Sequence, residues 1–310
     1  MFEMVVPPES LCGCGSGRAF GQCHLKDGNV VMSAKLVEPR PPLTGIKNRK
    51  CRLSPAADCC EKISGDHIIS EAVLKEISAQ KIVLRSSNFT RTVGVKSDAI
   101  KTKWLCRRHN SALHLLDDEA ARLFRALQDS EIALASGAPA PIRFYLFHGE
   151  DIERWMLKTM LAAYFGRLTN IVPGKFELPE HALQLFSSYL PQPYGLHVHI
   201  QPRPGESVRA TNISRNASLA LLTEGQTLVG IDFSLGGLEL RYLLAGSELA
   251  VASNTTSLTW RPNCVCLYEA QEVYAIAFVW SEGSQNTIWL SRGSATAPLP
   301  SNVPEHSEKP

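Results

Sequence analysis

Cysteines crowd into the first third of this chain and come in two groups, each ending in a histidine. Seven of the nine cysteines lie before residue 107. The first group is Cys12, Cys14, Cys23 and His24. The second begins at Cys51 and ends at His109. Such grouping favours metal binding over disulfides in a cytoplasmic chain. The spacing therefore predicts two zinc sites, each of which constrains how the backbone around it can fold.

The first group has the order C-x-C-x8-C-H and supplies four ligands, the number that tetrahedral structural zinc takes. A segment this short cannot bury a core, so the metal must provide its folding energy. The segment resembles the SEC-C motif, the zinc module at the C-terminus of the SecA translocation ATPase. The resemblance includes Gly15-Ser16-Gly17 and Phe20. It implies a zinc-dependent module that docks on a protein or contacts nucleic acid, without catalysis.

The second group is spread over a longer stretch of chain. We expect a zinc site made by Cys51, by one of Cys59 and Cys60, and by Cys106 and His109. The spacing after Cys51 is wider than in a C-x-x-C knuckle, which leaves the choice between Cys59 and Cys60 open. A metal here would close the long insertion between the two halves and partly offset its loop-closure entropy.

A set of polar residues lies between and just after these ligands. Asp66 and His67 stand in the run Ser64-Gly65-Asp66-His67-Ile68-Ile69-Ser70, and Asn110 follows His109. Carboxylate and amide oxygens are hard ligands suited to Mg2+. A histidine that titrates near neutral pH can take a proton from water. Phosphodiester hydrolysis needs both an activated water and a cation that offsets charge on the phosphate oxygens.

Together, the cysteines, the Asp-His-Ile-Ile run and the Cys-x-x-His-Asn run resemble the zinc-bearing HNH endonuclease family of the ββα-metal fold, over residues 50–120. By this resemblance Asp66 binds a catalytic Mg2+ or similar ion, His67 is the general base, and Asn110 completes or orients the metal site. The last histidine of the family has no clear equivalent. His114 and Asp117 both follow Asn110 at helical spacing, and either could serve.

Charge is unevenly divided along the chain. Residues 1–110 carry 18 Lys and Arg against 10 Asp and Glu, whereas the remainder carries 14 against 20. A basic front part suits a polyanionic partner, and Arg107 and Arg108 could hold phosphates there. We therefore expect a metal-dependent HNH-like endonuclease acting on nucleic acid, with DNA the first expectation. The alternative is a zinc-binding adaptor without catalysis that binds nucleic acid or a protein partner.

Hydrophobic periodicity predicts an α+β fold. A helix is expected from Asn110 to about Leu134, and a core helix from Glu150 to Arg167. From Tyr194 onward the period is two, as in a mostly antiparallel sheet. The predicted strands are Leu196–Gln201, Val208–Ile213, Ser218–Thr223, Thr227–Phe233, Leu238–Leu244, Cys264–Glu269, Val273–Trp280 and Thr287–Leu290. A further short helix is predicted over Pro179–Leu190.

These patterns divide the chain into five segments: 1–30 (SEC-C zinc motif), 31–50 (linker), 51–137 (HNH-like zinc module), 138–293 (an α+β domain of unknown role) and 294–310 (a disordered tail). No stretch of about eighteen apolar residues predicts a membrane span. The first residues lack the basic and apolar regions of a signal peptide, so we expect a cytoplasmic protein.

Overall fold

The computed structural model describes residues 6–54, 58–77, 81–86, 89–94, 100–136, 144–166, 184–186, 195–200, 217–225, 227–235, 238–244, 258–269, 272–283 and 286–291. The helices are α1 (Phe20–Cys23), α2 (Glu71–Glu76), α3 (Arg107–Ala112), α4 (His114–Ser136) and α5 (Gly149–Phe165). The strands are β1 (Leu25–Lys26), β2 (Asn29–Val30), β3 (Asp66–His67), β4 (Lys81–Ser86), β5 (Phe89–Gly94), β6 (Lys101–Thr102), β7 (Phe144–His148), β8 (Gly195–Ile200), β9 (Ala217–Glu224), β10 (Thr227–Leu235), β11 (Leu238–Leu243), β12 (Leu258–Trp260), β13 (Cys264–Glu269), β14 (Glu272–Val279) and β15 (Thr287–Ser291).

A short antiparallel pair followed by a helix forms the unit around the second cysteine group. Strand β3 pairs with β6, with Asp66 opposite Thr102 and His67 opposite Lys101. Helix α3 begins at Arg107, directly after Cys106. The backbone amide of Ser64 donates to the carbonyl of Leu105 and extends this pairing toward the helix. Asp66, His67 and the start of α3 are therefore held in one strand–strand–helix unit.

The hairpin inserted between β3 and β6 does not stand alone. Strands β4 and β5 pair with each other, and β4 runs parallel to β9. They complete a seven-stranded sheet of order β12-β8-β11-β10-β9-β4-β5. Except for β4 with β9, its neighbouring strands are antiparallel. Segments from both halves of the chain thus share one sheet.

A four-stranded sheet has the order β15-β13-β14-β7. Its central pair is antiparallel, whereas β15 and β7 run parallel to their neighbours. With five helices and mostly antiparallel sheets in the described part of the chain, the predicted α+β class is confirmed. Among the described helices, none combines the length and the apolar composition that crossing a membrane would require.

The core is centred on α4 and α5. Trp155 packs edge-on against Phe124, with ring centroids 5.5 Å apart, and against Phe233 on β10 at 5.8 Å. One continuous cluster of buried apolar residues extends from Val37 to Ile288. Helix α5 is buried even at its charged positions, which are Glu150, Asp151, Glu153, Arg154 and Lys158. Such groups are costly to bury unless each has a partner, so α5 is also a centre of polar contacts.

Predicted and observed elements differ mainly at their ends. The helix expected after Asn110 begins three residues earlier, at Arg107, and is interrupted at Leu113, where α3 ends and α4 follows. From β7 onward, only β7 and β12 among the described strands lie outside the predicted set. The predicted strand Val208–Ile213, most of the helix Pro179–Leu190 and the predicted tail from residue 294 lie outside the described residues.

Candidate functional site

The first cysteine group forms a compact cluster of four ligand atoms. Those of Cys12, Cys14, Cys23 and His24 all lie within 4.8 Å of one another. The Cys12 Sγ and His24 Nδ1 atoms are 3.3 Å apart. Burial raises the pKa of the Cys12 thiol to about 12, so a bound cation must displace its proton. The Ser16 hydroxyl, 3.2 Å from the Cys23 sulfur, lowers the pKa of that thiol.

This cluster is fastened to the rest of the chain through its backbone. The carbonyl oxygen of Gly13 accepts hydrogen bonds from the Leu146 amide of β7, at 3.0 Å, and from Nη1 of Arg122, at 2.9 Å. Arg122 also donates to the carbonyl of Leu146 at 2.7 Å and lies over the ring of Phe147. A methyl group at Gly13 would come within 2.3 Å of the Phe144 carbonyl oxygen. Only glycine permits this approach.

The second cysteine group forms a cluster that is buried throughout. Its members are Cys51, Cys59, Cys106 and His109, whose ligand atoms again lie within 4.8 Å of one another. The Nδ1 atom of His109 is 3.4, 3.8 and 3.3 Å from the sulfurs of Cys51, Cys59 and Cys106, respectively. Three thiols and one imidazole within this distance can hold a tetrahedral zinc ion.

Cys60 lies beside this second cluster without joining it. Its thiol donates to the carbonyl of Lys62 at 3.4 Å and accepts from the Arg108 amide at 3.4 Å. Arg108 in turn directs Nε and Nη2 to one carboxylate oxygen of Asp58, at 3.1 and 2.9 Å. The guanidinium of Arg108 therefore supports the loop that carries Cys59, whereas the side chain of Arg107 is exposed.

Asp66, His67 and Asn110 lie on the strand–strand–helix unit next to this buried cluster. One oxygen of Asp66, Oδ1, accepts the backbone amide of His67 at 2.9 Å. The other, Oδ2, is buried and lies 3.2 Å from the ammonium of Lys158. Asn110 Nδ2 lies 3.4 Å from the Ser64 hydroxyl, and Asn110 Oδ1 is buried without a hydrogen-bond donor among the described residues. His67 is half-buried.

Lys158 is the member of this site that the sequence did not indicate. It comes from α5, is 2% exposed, and places its ammonium 3.2 Å from Asp66 Oδ2 and 2.6 Å from Asp117 Oδ2. Burial acts to lower the pKa of Lys158, but the two carboxylates outweigh it and raise that pKa, so the ammonium is retained at neutral pH. In the sequence, Lys158 is one of several charged residues in the predicted core helix, and a single lysine there does not indicate a functional site.

The two candidates for the last position of the site lie in different surroundings. His114 is largely exposed and pairs with Asp118, with Nδ1 and Oδ2 2.9 Å apart. Asp117 is buried and faces Lys158, and burial raises the pKa of its carboxyl. The interruption of the helix at Leu113 means that spacing from Asn110 does not predict which side chains turn inward.

Exposed basic side chains surround the second cluster. We call them the basic surface: Lys47, Arg49, Lys50, Arg52, Lys62, Lys103 and Arg107. Backbone hydrogen bonds hold their segments together, from Arg52 to Trp104 and from Arg107 to Lys62. One exposed acid, Glu61, stands among these segments. A surface of this sign and density attracts phosphates.

Comparison of the chain with protein-family models, with curated proteins and with solved structures found no match. Its function is therefore inferred from the chemistry of its residues.

Proposed function

We propose that this chain is a zinc-stabilised, HNH-like nuclease that hydrolyses nucleic-acid phosphodiester bonds with a divalent cation. The observation that carries the proposal concerns two atoms. Asp66 Oδ2 and Asn110 Oδ1 are the hard ligands expected from the sequence. Among the described residues, Asn110 Oδ1 is buried without a hydrogen-bond donor, and Asp66 Oδ2 is buried with the Lys158 ammonium 3.2 Å away. Buried acceptors normally have a donor or a cation. They also lie on a strand–strand–helix unit beside a cluster of three cysteines and one histidine.

Carboxylate and amide oxygens are ligand types that a divalent cation such as Mg2+ accepts. Asp66 and Asn110 would hold it, and it would offset charge developing on the phosphate oxygens. Lys158 forms its shorter ion pair with Asp117, at 2.6 Å, and its longer one with Asp66, at 3.2 Å. Of the two carboxylates, Asp66 is therefore less completely neutralised by Lys158 and keeps more negative charge with which to attract a metal ion.

His67 would act as the general base. It follows Asp66 on β3, and its backbone amide is held by the Asp66 carboxylate. A neutral imidazole near the bound phosphate would accept the proton of the attacking water. The basic surface would hold the flanking phosphates, with Arg107 its member closest in sequence to Asn110.

Cleavage assays with supercoiled DNA, linear DNA and RNA in Mg2+ or Mn2+ test this proposal. Wild-type protein with both clusters loaded with zinc should cut at least one substrate. His67→Ala should reduce the rate by about 100-fold or more, the usual contribution of a general base. The control is Lys75→Ala, which changes an exposed residue of α2 and should leave the rate unchanged. Wild-type protein that cuts none of the substrates would contradict the proposal.

The second candidate function is that of a non-catalytic adaptor. It is favoured by the Lys158 ammonium, which already lies beside Asp66 Oδ2. A protein partner would find exposed apolar side chains on the N-terminal motif, namely those of Leu11, Val30 and Val31. The adaptor predicts nucleic-acid binding that falls steeply with salt and is the same in wild type and His67→Ala. Fluorescence anisotropy at several salt concentrations, run beside the cleavage assay, distinguishes the two candidates.

A further inference from the structure

Lys158 connects three elements at a point where charge is not balanced. It is a buried residue of α5, Asp66 lies on β3, and Asp117 lies in the first turn of α4. One ammonium faces two carboxylates, which leaves a formal charge of −1. Asp66 Oδ2 is buried with the Lys158 ammonium 3.2 Å away, and Asp117 Oδ1 is buried without a hydrogen-bond donor among the described residues.

A structural salt bridge would not require this arrangement. A buried ion pair is costly even when its charges match, and a second carboxylate adds to that cost. Two other buried acids of the same helix each face a guanidinium group. Glu153 faces the guanidinium of Arg261, with Oε2 and Nη2 2.7 Å apart, and Asp151 pairs with Arg154. The excess negative charge at Lys158 is what a cation-binding site needs.

We propose that Lys158 is a positioning residue that sets the charge of the cation site. It neutralises Asp117, so that a divalent cation at Asp66 and Asn110 meets one negative charge rather than two. The proposal rests on the cation site of the proposed function and adds to it a residue from outside the β3–β6–α3 unit. Helix α5 thereby becomes part of the site.

The size of the effect follows from distance. An ion held by Asp66 Oδ2 would lie no more than about 5 Å from the Lys158 ammonium, because the ion pair is 3.2 Å long and a metal–oxygen bond is about 2 Å. Even with the full screening of water, a unit charge at that distance changes the affinity for a divalent ion by about tenfold.

Mn2+ binding to the full-length protein, with both zinc clusters loaded, tests the inference by calorimetry and by electron paramagnetic resonance. Four proteins form a charge series. Asp117→Asn brings the local charge to zero, wild type has −1, the double variant Asp117→Asn/Lys158→Met also has −1, and Lys158→Met has −2. Mn2+ affinity should rise in that order by about tenfold per charge, with wild type and the double variant alike. A merely structural lysine would weaken binding in Lys158→Met and would not be rescued in the double variant.

Asp66→Asn separates this inference from the proposed function. If it leaves Mn2+ binding unchanged, or if wild type binds no Mn2+ beyond the zinc clusters, the cation site itself is wrong. If Asp66→Asn abolishes binding but affinity is the same across the charge series, only the role of Lys158 is wrong. Should Lys158→Met fail to fold or to retain zinc, the inference is decided by Asp117→Asn against the double variant, which must differ by about tenfold.

Discussion

The sulfur atoms of Cys59 and Cys60 lie in different surroundings although the two residues are neighbours. The Cys59 sulfur is buried in the second cluster, whereas the Cys60 sulfur donates to the Lys62 carbonyl and accepts from the Arg108 amide. We expect Cys59→Ala to lose one of two bound zinc ions, because it removes a ligand. It should also lower the melting temperature, because metal binding and folding are coupled. Zinc content by mass spectrometry and thermal unfolding measure both effects.

Cys60→Ala is the matched control for this zinc prediction. It should keep both zinc ions and cost no more than about 1 kcal/mol, since it removes weak sulfur hydrogen bonds only. Loss of zinc from Cys60→Ala with retention in Cys59→Ala would reverse the assignment.

His197 on β8 gives a pH dependence of stability. It is 2% exposed, and burial lowers its pKa to about 4, although its Nδ1–H can donate to the carbonyl of Gly195. The unfolded chain binds a proton near the ordinary value of 6.5 and the folded chain does not. The contribution to stability is therefore present above that pH and is lost as the pH falls from 6.5 toward 4.

The loss from His197 should reach about 2 kcal/mol between about pH 7.5 and about pH 5. His197→Gln should reduce the pH dependence of the free energy of unfolding by that amount. His114→Gln, which changes a largely exposed histidine, should leave it as in wild type. Denaturant unfolding of the three proteins at both pH values measures the difference, and equal slopes for wild type and His197→Gln would contradict the prediction.

At the scale of elements, β7 decides where the first cluster lies. Gly13→Ala should weaken this docking, because its methyl group would collide with backbone atoms of Phe144 and Tyr145 that cannot rotate away. We expect a loss of about 1–3 kcal/mol, as for other overpacked sites, and faster hydrogen exchange at Leu146. Gly65→Ala is the control, because its methyl group would meet no atom within 4 Å. Equal exchange rates in the two variants would show that the contact does not hold the motif.

Elements also show where sequence reasoning succeeds. The sequence patterns located most described strands of the C-terminal half, because apolar runs bounded by Gly, Asn, Ser and Pro are a local property of the chain. Burial need not alternate in such strands, as β13 shows. Strand β7, also buried or half-buried throughout, leads directly into α5 at Gly149 and lies outside the predicted set. The pairing of β4 with β9 joins residues over a hundred positions apart, and no local pattern encodes such a contact.

At the scale of the molecule, the two clusters differ in their access to solvent. The second is buried in all four ligands, whereas Cys14, Cys23 and His24 of the first are half-buried. A chelator should therefore remove zinc in two phases, from the first cluster before the second, because removal from the second requires local opening of the fold. A chromogenic zinc indicator follows the release, and Cys14→Ser should abolish the fast phase only. A single phase in wild type would contradict the prediction.

The sequence by itself determined the ligand inventory of this protein. The ligands come in closely spaced pairs, such as Cys106-x-x-His109, Cys12-x-Cys14 and Cys23-His24. Such short spacings can be recognised from the sequence because they do not depend on the rest of the fold. It also determined the α+β class, which follows from helical and alternating periodicity. The sequence could not decide between Cys59 and Cys60 as the ligand, because the two adjacent residues differ only in the direction in which their side chains point.

Tertiary structure alone decided what surrounds Asp66. Lys158 is 92 positions away in sequence and reaches Asp66 because α5 packs beside β6 and α4. His114 is exposed and Asp117 is buried, although both follow Asn110 at helical spacing, because α3 ends at Leu113 and α4 runs on a separate path. Long-range electrostatics depends on distances that only packing sets. The candidate catalytic residues can thus be identified from local sequence, whereas the electrostatic environment in which they would act depends on the folded chain.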